Sequence, residues 1–350
     1  MDQDRDSSIN VEKVSSDDIN AVKVSSSDVN AEKGSSSDVN AEKVSSKDDG
    51  NLNNISKLVN GTNKIINNNK IDKKFYKEID PLFLFDWDPL VNVSSRMPTK
   101  DCLKRVRNDI ESLYNDPLPG ICIYPDEVIA TMVHAILIGP CETPYEGGFF
   151  YFILDFPDDY PREPPRVRLI TTGSGTCRFN PNLYANGKVC LSLLNTWHGE
   201  KWSMVNTLSS VLLSIQSIMC EKPYHNEPGF EVGVGNKVGL GNTQDALAYN
   251  EIIRHETVRI AVCDMSDPRT ALHKSLPPLL QSFTRNMFTD FYDMYEETCT
   301  SNLRLDGQVM RDPFGDKRGS FSYKSILDKL SVIKGLIQEL SEKEDDDENK

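Results

Sequence analysis

Cys190 closes the run Asn180-Pro181-Asn182-Leu183-Tyr184-Ala185-Asn186-Gly187-Lys188-Val189-Cys190, eight residues after Asn182. A cysteine thiolate attacks acyl groups and can hold them as thioesters. A carboxamide fixed nearby can donate to the oxyanion that forms when such a thioester is attacked. Pro181 stiffens one turn and Asn186-Gly187 makes another. The sulfur therefore belongs to a fixed loop, where function concentrates. Plainer readings compete: a buried structural thiol for Cys190 and a turn-closing side chain for Asn182.

A hydrolase would need an imidazole within hydrogen-bond reach of the thiol. No histidine adjoins Cys190; His198 follows eight residues later and His225 is more distant. A carrier needs less, because its thioester must survive in water and a strong built-in base would favour hydrolysis. The sparse polar surroundings suit the carrier, and the hydrolase stays open as the lesser alternative.

Several elements must position this loop. Leu103, Val106, Ile110 and Leu113 recur at helical spacing, with Lys104, Arg105 and Arg107 off that face and Pro117-Leu118-Pro119-Gly120 ending the element. Three strand-like runs follow, at about residues 128–138, 149–156 and 166–171. Short turns between them imply an antiparallel meander. Tyr160-Pro161-Arg162-Glu163-Pro164-Pro165 lacks three backbone donors and reads as an ordered loop. Beyond the cysteine, Leu208, Val211, Leu212, Ile215, Ile218 and Met219 mark a second amphipathic helix. Gly233, Gly235, Gly239 and Gly241 predict a loose loop. Further helices are expected at about 245–265, 279–298 and 323–341.

The N-terminus differs in kind. Residues 9–48 repeat with a period of ten, for example Val29-Asn30-Ala31-Glu32-Lys33-Gly34-Ser35-Ser36-Ser37-Asp38. Such units carry few apolar side chains and no aromatic, so they cannot offset the entropy of ordering. The expected organisation is a disordered repeat and Asn/Lys-rich linker over 1–74 and an aromatic strap over 75–100. A core over 101–265, a helical extension over 266–343 and an acidic tail over 344–350 follow.

A net charge of −14 argues against nucleic acid as a partner. No run of 18 apolar residues offers a membrane span, and no secretory signal is visible. The expected location is the cytoplasm, extending to the nucleus. Eight scattered cysteines without a Cys-x-x-Cys pair read as reduced thiols rather than a metal cluster.

From Cys102 to about Met265 the chain resembles the ubiquitin-conjugating enzyme family. The resemblance is carried by the basic first helix, Thr143-Pro144-Tyr145-Glu146-Gly147-Gly148, Tyr160-Pro161 with Pro164-Pro165, Asn180-Pro181-Asn182, Cys190 and Trp202-Ser203. It implies an α+β fold with a four-stranded antiparallel meander, flanking helices and a helical C-terminal extension. It implies that Cys190 accepts ubiquitin or a ubiquitin-like protein as a thioester and passes it to lysine, directly or with a ligase. Asn182 would stabilise the oxyanion. Glu227, just before Pro228, would stand on the far lip of the cleft and help the lysine lose its proton. An exposed loop carboxylate is the competing reading of Glu227. The activating enzyme would dock on Lys104, Arg105 and Arg107. The chain itself would need no cofactor, neither metal nor nucleotide, because ATP is consumed upstream.

Departures narrow the resemblance. Asn180 stands where the family usually has a His thought to be structural. The insert Thr196-Trp197-His198-Gly199-Glu200-Lys201 is similar to the large, atypical subgroup. Stretches 223–230, 254–259 and 312–319 are similar to one such member and extend the likeness from about Trp87 to the last helix. That member's resemblance implies an alternative activating enzyme and a second ubiquitin-like modifier. Arg162 and Met204 replace common ligase-contact types, so no ligase is indicated. A non-catalytic binding module of the same fold is the alternative from a different class; such variants lack the cysteine.

Overall fold

The computed structural model describes residues 86–90, 97–231 and 243–348. The repeat and linker, most of the strap, and the loop bearing Gly233 to Gly241 lie outside the described residues. Helix α1 spans Lys100–Asn115, capped by the Thr99 hydroxyl, which accepts from the Cys102 N–H at 3.1 Å. Cys102, Val106, Ile110 and Leu113 are its buried apolar face.

Four strands follow: β1 Ile121–Pro125, β2 Met132–Ile138, β3 Phe149–Asp155 and β4 Arg166–Leu169. They pair in chain order, each antiparallel to the next. Two details differ from the sequence pattern. β1 is an additional short edge strand that three-run periodicity did not single out. The expected run from Val128 begins instead at Met132. There Asp126 Oδ1 accepts from the N–H groups of Val128 at 2.8 Å and Ile129 at 2.7 Å, closing a turn.

β3 is buried at every position, which single-face alternation does not explain. The cause is cover on both faces. One face, through Val133, Ala135, Leu137, Phe150, Phe152 and Leu154, meets α1, the Cys190 loop and helix α2, Leu208–Ile218. The other, through Met132, Ile136, Phe149, Tyr151 and Ile153, meets the C-terminal helices.

Those helices are α3 Thr243–Glu256, continued by π-helical turns over Thr257–Asp264, then α4 Ala271–Lys274, α5 Pro278–Ser301 and α6 Tyr323–Glu348. α6 runs through residues expected to be an acidic tail, which hold neither Gly nor Pro to stop it. The β2–β3 turn makes the close approach of these helices possible. A Cβ on Gly148 would lie 2.6 Å from Thr257 Cγ2, and the Tyr295 hydroxyl donates to the Gly147 carbonyl at 2.7 Å. Of the strap, Asp88 is buried in an ion pair with Arg168 of β4, whose guanidinium also lies 5.9 Å from the Trp87 ring centre. Among the described residues no helix is long and apolar enough to cross a membrane.

Candidate functional site

The Cys190 loop hangs on Asn180, which is fully buried. Its amide donates to the Tyr145 hydroxyl at 2.9 Å and the Ile218 carbonyl at 2.8 Å. Its oxygen accepts from the Asn182 N–H at 2.9 Å and from Asn226 Nδ2 at 3.4 Å. All four hydrogen-bonding positions of the side chain are thus occupied. Asn180 ties the turn to the end of α2, to the β2–β3 turn and to the segment before Glu227. This is the structural duty expected at that position.

The returning limb lies on β4. Gly187, at φ +89°, accepts from the Leu169 N–H at 2.9 Å, and a Cβ there would sit 2.6 Å from the Leu169 carbonyl. The limb then delivers Cys190 beside Asn182. The Cys190 N–H donates to the Asn182 carbonyl at 2.9 Å, and Asn182 Nδ2 donates back to the Cys190 carbonyl at 2.8 Å. Asn182 is buried. Its amide thus rests on the backbone of Cys190 rather than on the sulfur. One of the two N–H groups of the amide is engaged there.

Cys190 is itself 3% exposed. Burial pushes its thiol above the ordinary value, while the charges of Lys188 and Arg178 pull it down. Among the described residues no imidazole hydrogen-bonds the sulfur. His225 Nδ1 meets the Phe230 carbonyl at 2.7 Å, and exposed His198 packs beside Trp197. His134, His255 and His273 are bonded elsewhere. The geometry lacks the base that a hydrolase requires.

Arg178 links Glu227 to the loop. One guanidinium nitrogen donates to the Pro181 carbonyl at 2.7 Å and to Glu227 Oε2 at 2.9 Å. The guanidinium stacks 4.5 Å from the Tyr184 ring centre, and Phe314 of the C-terminal extension lies beyond it at 5.8 Å. Asn182 thus pairs directly with Cys190, whereas Glu227 reaches the same loop through Arg178. Sequence reasoning passed over Arg178, which has no motif of its own, and Asn226, which shares the bonds of Asn180.

The three cations of α1 are not equivalent. Lys104 and Arg107 are exposed. Arg105 is turned to internal work: it pairs with buried Asp109 at 2.8 Å and donates to the carbonyls of Met204 at 3.1 Å and Asn206 at 2.6 Å. Asp109 also accepts from Tyr160 and from the first N–H of α2 at 3.0 Å. Arg105 stays part-exposed beside Lys104 and Arg107 while it makes these internal bonds. Among the described residues no group of three or more His, Cys, Asp or Glu side chains is placed to hold a metal ion.

Comparison with known proteins bears on this arrangement. The family model "Ubiquitin-conjugating enzyme" matches residues 105–239. The chain is 48% identical over 268 residues to "Ubiquitin-conjugating enzyme E2 Z" of Danio rerio, covering 77% of this chain and 76% of that protein. It is 48% identical over 260 residues to the Homo sapiens protein of the same name, covering 74% and 69%. A shorter similarity, 46% over 144 residues, joins it to the Homo sapiens "Dual E2 ubiquitin-conjugating enzyme/E3 ubiquitin-protein ligase BIRC6", covering 40% of this chain and 3% of that one. The atypical member resembled by residues 223–230, 254–259 and 312–319 is the Z type of the first two.

Proposed function

The chain belongs to the ubiquitin-conjugating enzyme family, and on that premise we propose that Cys190 is the residue that carries the modifier. The chain is a transferase, and ubiquitin, an activating enzyme and a ligase are its partners in general. The observation supporting Cys190 is its two-way backbone pairing with Asn182, on a loop braced by Asn180 and Arg178 and without a histidine base.

In the first step the Cys190 thiolate attacks the thioester carbonyl held by the activating enzyme. The S–C bond to Cys190 forms, the activating enzyme's thiolate leaves, and the proton of Cys190 is released. In the second step a lysine amine attacks the new thioester. Negative charge develops on the carbonyl oxygen, where the second N–H of Asn182 is suited to donate. Collapse expels the Cys190 thiolate and leaves an amide. The amine loses its proton, a transfer that Glu227 supports as a carboxylate tied to the loop through Arg178. A sulfur without a neighbouring base leaves its acyl group less open to water, which suits a carrier.

Lys104, Arg105 and Arg107 of α1 are the docking charges in this reading, Arg105 being also bonded to Asp109 and to two loop carbonyls. The alternative activating enzyme and a second ubiquitin-like modifier belong to the same proposal. The test is incubation with each activating enzyme, ATP and each modifier, followed by gels with and without reductant. A reductant-sensitive adduct is expected, lost in Cys190→Ala and made reductant-resistant in Cys190→Ser. Undiminished charging of Cys190→Ala overturns the assignment.

A further inference from the structure

We propose that Thr196, in the insert that follows the cysteine, is a positioning residue for Cys190 and forms the second jaw of a clamp whose first jaw is Asn182. The inference rests on Cys190 being the acyl acceptor.

Asn182 fixes the N–H and the carbonyl of residue 190 itself. The peptides on either side are held by one hydroxyl. Thr196 Oγ1 accepts from the Leu191 N–H at 3.0 Å and donates to the Val189 carbonyl at 2.8 Å, with the Leu191 carbonyl 3.2 Å away. A hydroxyl has one proton and two lone pairs, so it can donate and accept at once. The Thr196 N–H adds a bond to the Leu191 carbonyl at 3.2 Å. The hydroxyl therefore bridges residues 189 and 191, the two neighbours of the reactive cysteine.

The rest of the insert keeps the threonine in place. Gly199 stands at φ +126° against Ser192, where a Cβ would come within 3.1 Å of the serine Cβ. The turn closes on the segment just past the thiol. Threonine is β-branched and stiff at χ1, so its hydroxyl direction is set by the backbone. Val189 and Leu191 bury their side chains in the core. Between these anchors the Cα–Cβ bond of Cys190 has little freedom to swing. The thioester carbonyl travels with the sulfur, so an error in its direction becomes an error at the attacked carbon. Displacements of about 1 Å are enough to cost roughly 10²-fold in such steps.

Thr196→Val keeps the shape and removes the hydroxyl; Thr196→Ser keeps the hydroxyl. Enzyme preloaded with ubiquitin is discharged to free lysine in a single turnover. The expected result is a ~10- to ~100-fold slower discharge for Thr196→Val. Thr196→Ser should stay within about threefold of wild type because its hydroxyl remains. The activating-enzyme concentration giving half-maximal loading should be the same in all three. Wild-type discharge by Thr196→Val overturns the proposal, as does a Thr196→Ser variant as slow as Thr196→Val. Should Thr196→Val fail to fold by circular dichroism, the same comparison is made between Thr196→Ala and Thr196→Ser. A Cys190→Ala control separates the two readings: if it still forms a reductant-sensitive adduct, it is the acceptor assignment that fails. If it does not, a null result at Thr196 counts against the clamp alone.

Discussion

The Arg318 guanidinium, in the loop before α6, donates to the backbone carbonyl of Arg178 at 2.8 Å. It also pairs with Asp312 at 2.8 Å, with both side chains almost without solvent contact. Phe314 of the same loop stacks with Tyr224 and packs against Tyr249 and Phe230. The C-terminal extension thus reaches past the sheet and braces the residues that lead into the Asn180 turn.

Breaking that pair leaves a buried charge without its partner. Asp312→Ala is expected to lower unfolding free energy by about 3–5 kcal/mol. Urea denaturation followed by circular dichroism measures it. A loss below about 1 kcal/mol would show that the pair is solvated and unimportant to the brace.

Asn182→Ala should slow lysine discharge by roughly 10²-fold, the usual consequence of losing one oxyanion donor. It also orphans the Cys190 carbonyl, so a stability loss of about 1–3 kcal/mol should accompany it. Loading by thiol exchange should fall much less. Equal losses in loading and discharge would instead place the whole effect in the backbone pairing.

Glu227→Gln cannot take up a proton. Discharge to free lysine at neutral pH should drop about tenfold or more, with loading unchanged. The deficit should shrink as pH approaches about 10, where free lysine already sheds its proton. A deficit that stays constant with pH would rule out proton transfer.

Alkylation of Cys190 reports its thiol directly. Burial raises it from 9.0, against the opposing charges of Lys188 and Arg178. The rate should climb through the neutral range and not level off below about pH 9. Lys188→Ala should move the curve further up. A plateau by pH 8 would contradict this account and point to an activating group.

Glu256 supplies a pH-dependent contribution to stability. Burial disfavours its charge, but hydrogen bonds from His255 and Arg259 outweigh that and lower its pKa from 4.5 to about 2. A depressed carboxylate stabilises the fold above about pH 4.5, and this contribution is lost as pH falls towards 2. The size is about 3 kcal/mol. Glu256→Gln should therefore be less stable than wild type at pH 7, with the gap closing between pH 4.5 and 2. A gap that does not change with pH would remove the ionised state from the explanation.

The sequence by itself determined what repeats or recurs along the chain. Leu103, Val106, Ile110 and Leu113 announce α1, and the spacing of Asn182 and Cys190 with its neighbouring motifs announces the family and the α+β core. Strand-like runs mark three of the four strands, yet not why β3 is buried throughout; that depends on helices about a hundred residues or more later. Tertiary structure alone decided the partners. Arg178 meets Glu227 across 49 positions, and Arg318 meets Arg178 across 140. Arg105 points inward because Asp109 and two carbonyls from a distant loop converge on it. Asn182 and Thr196 are neighbours of Cys190 in sequence, but only folding shows that both hold its backbone. Periodicity reports which face of an element is apolar. It carries no record of which polar atom a buried side chain finds, because that choice is made by hydrogen-bond geometry between segments brought together in the core.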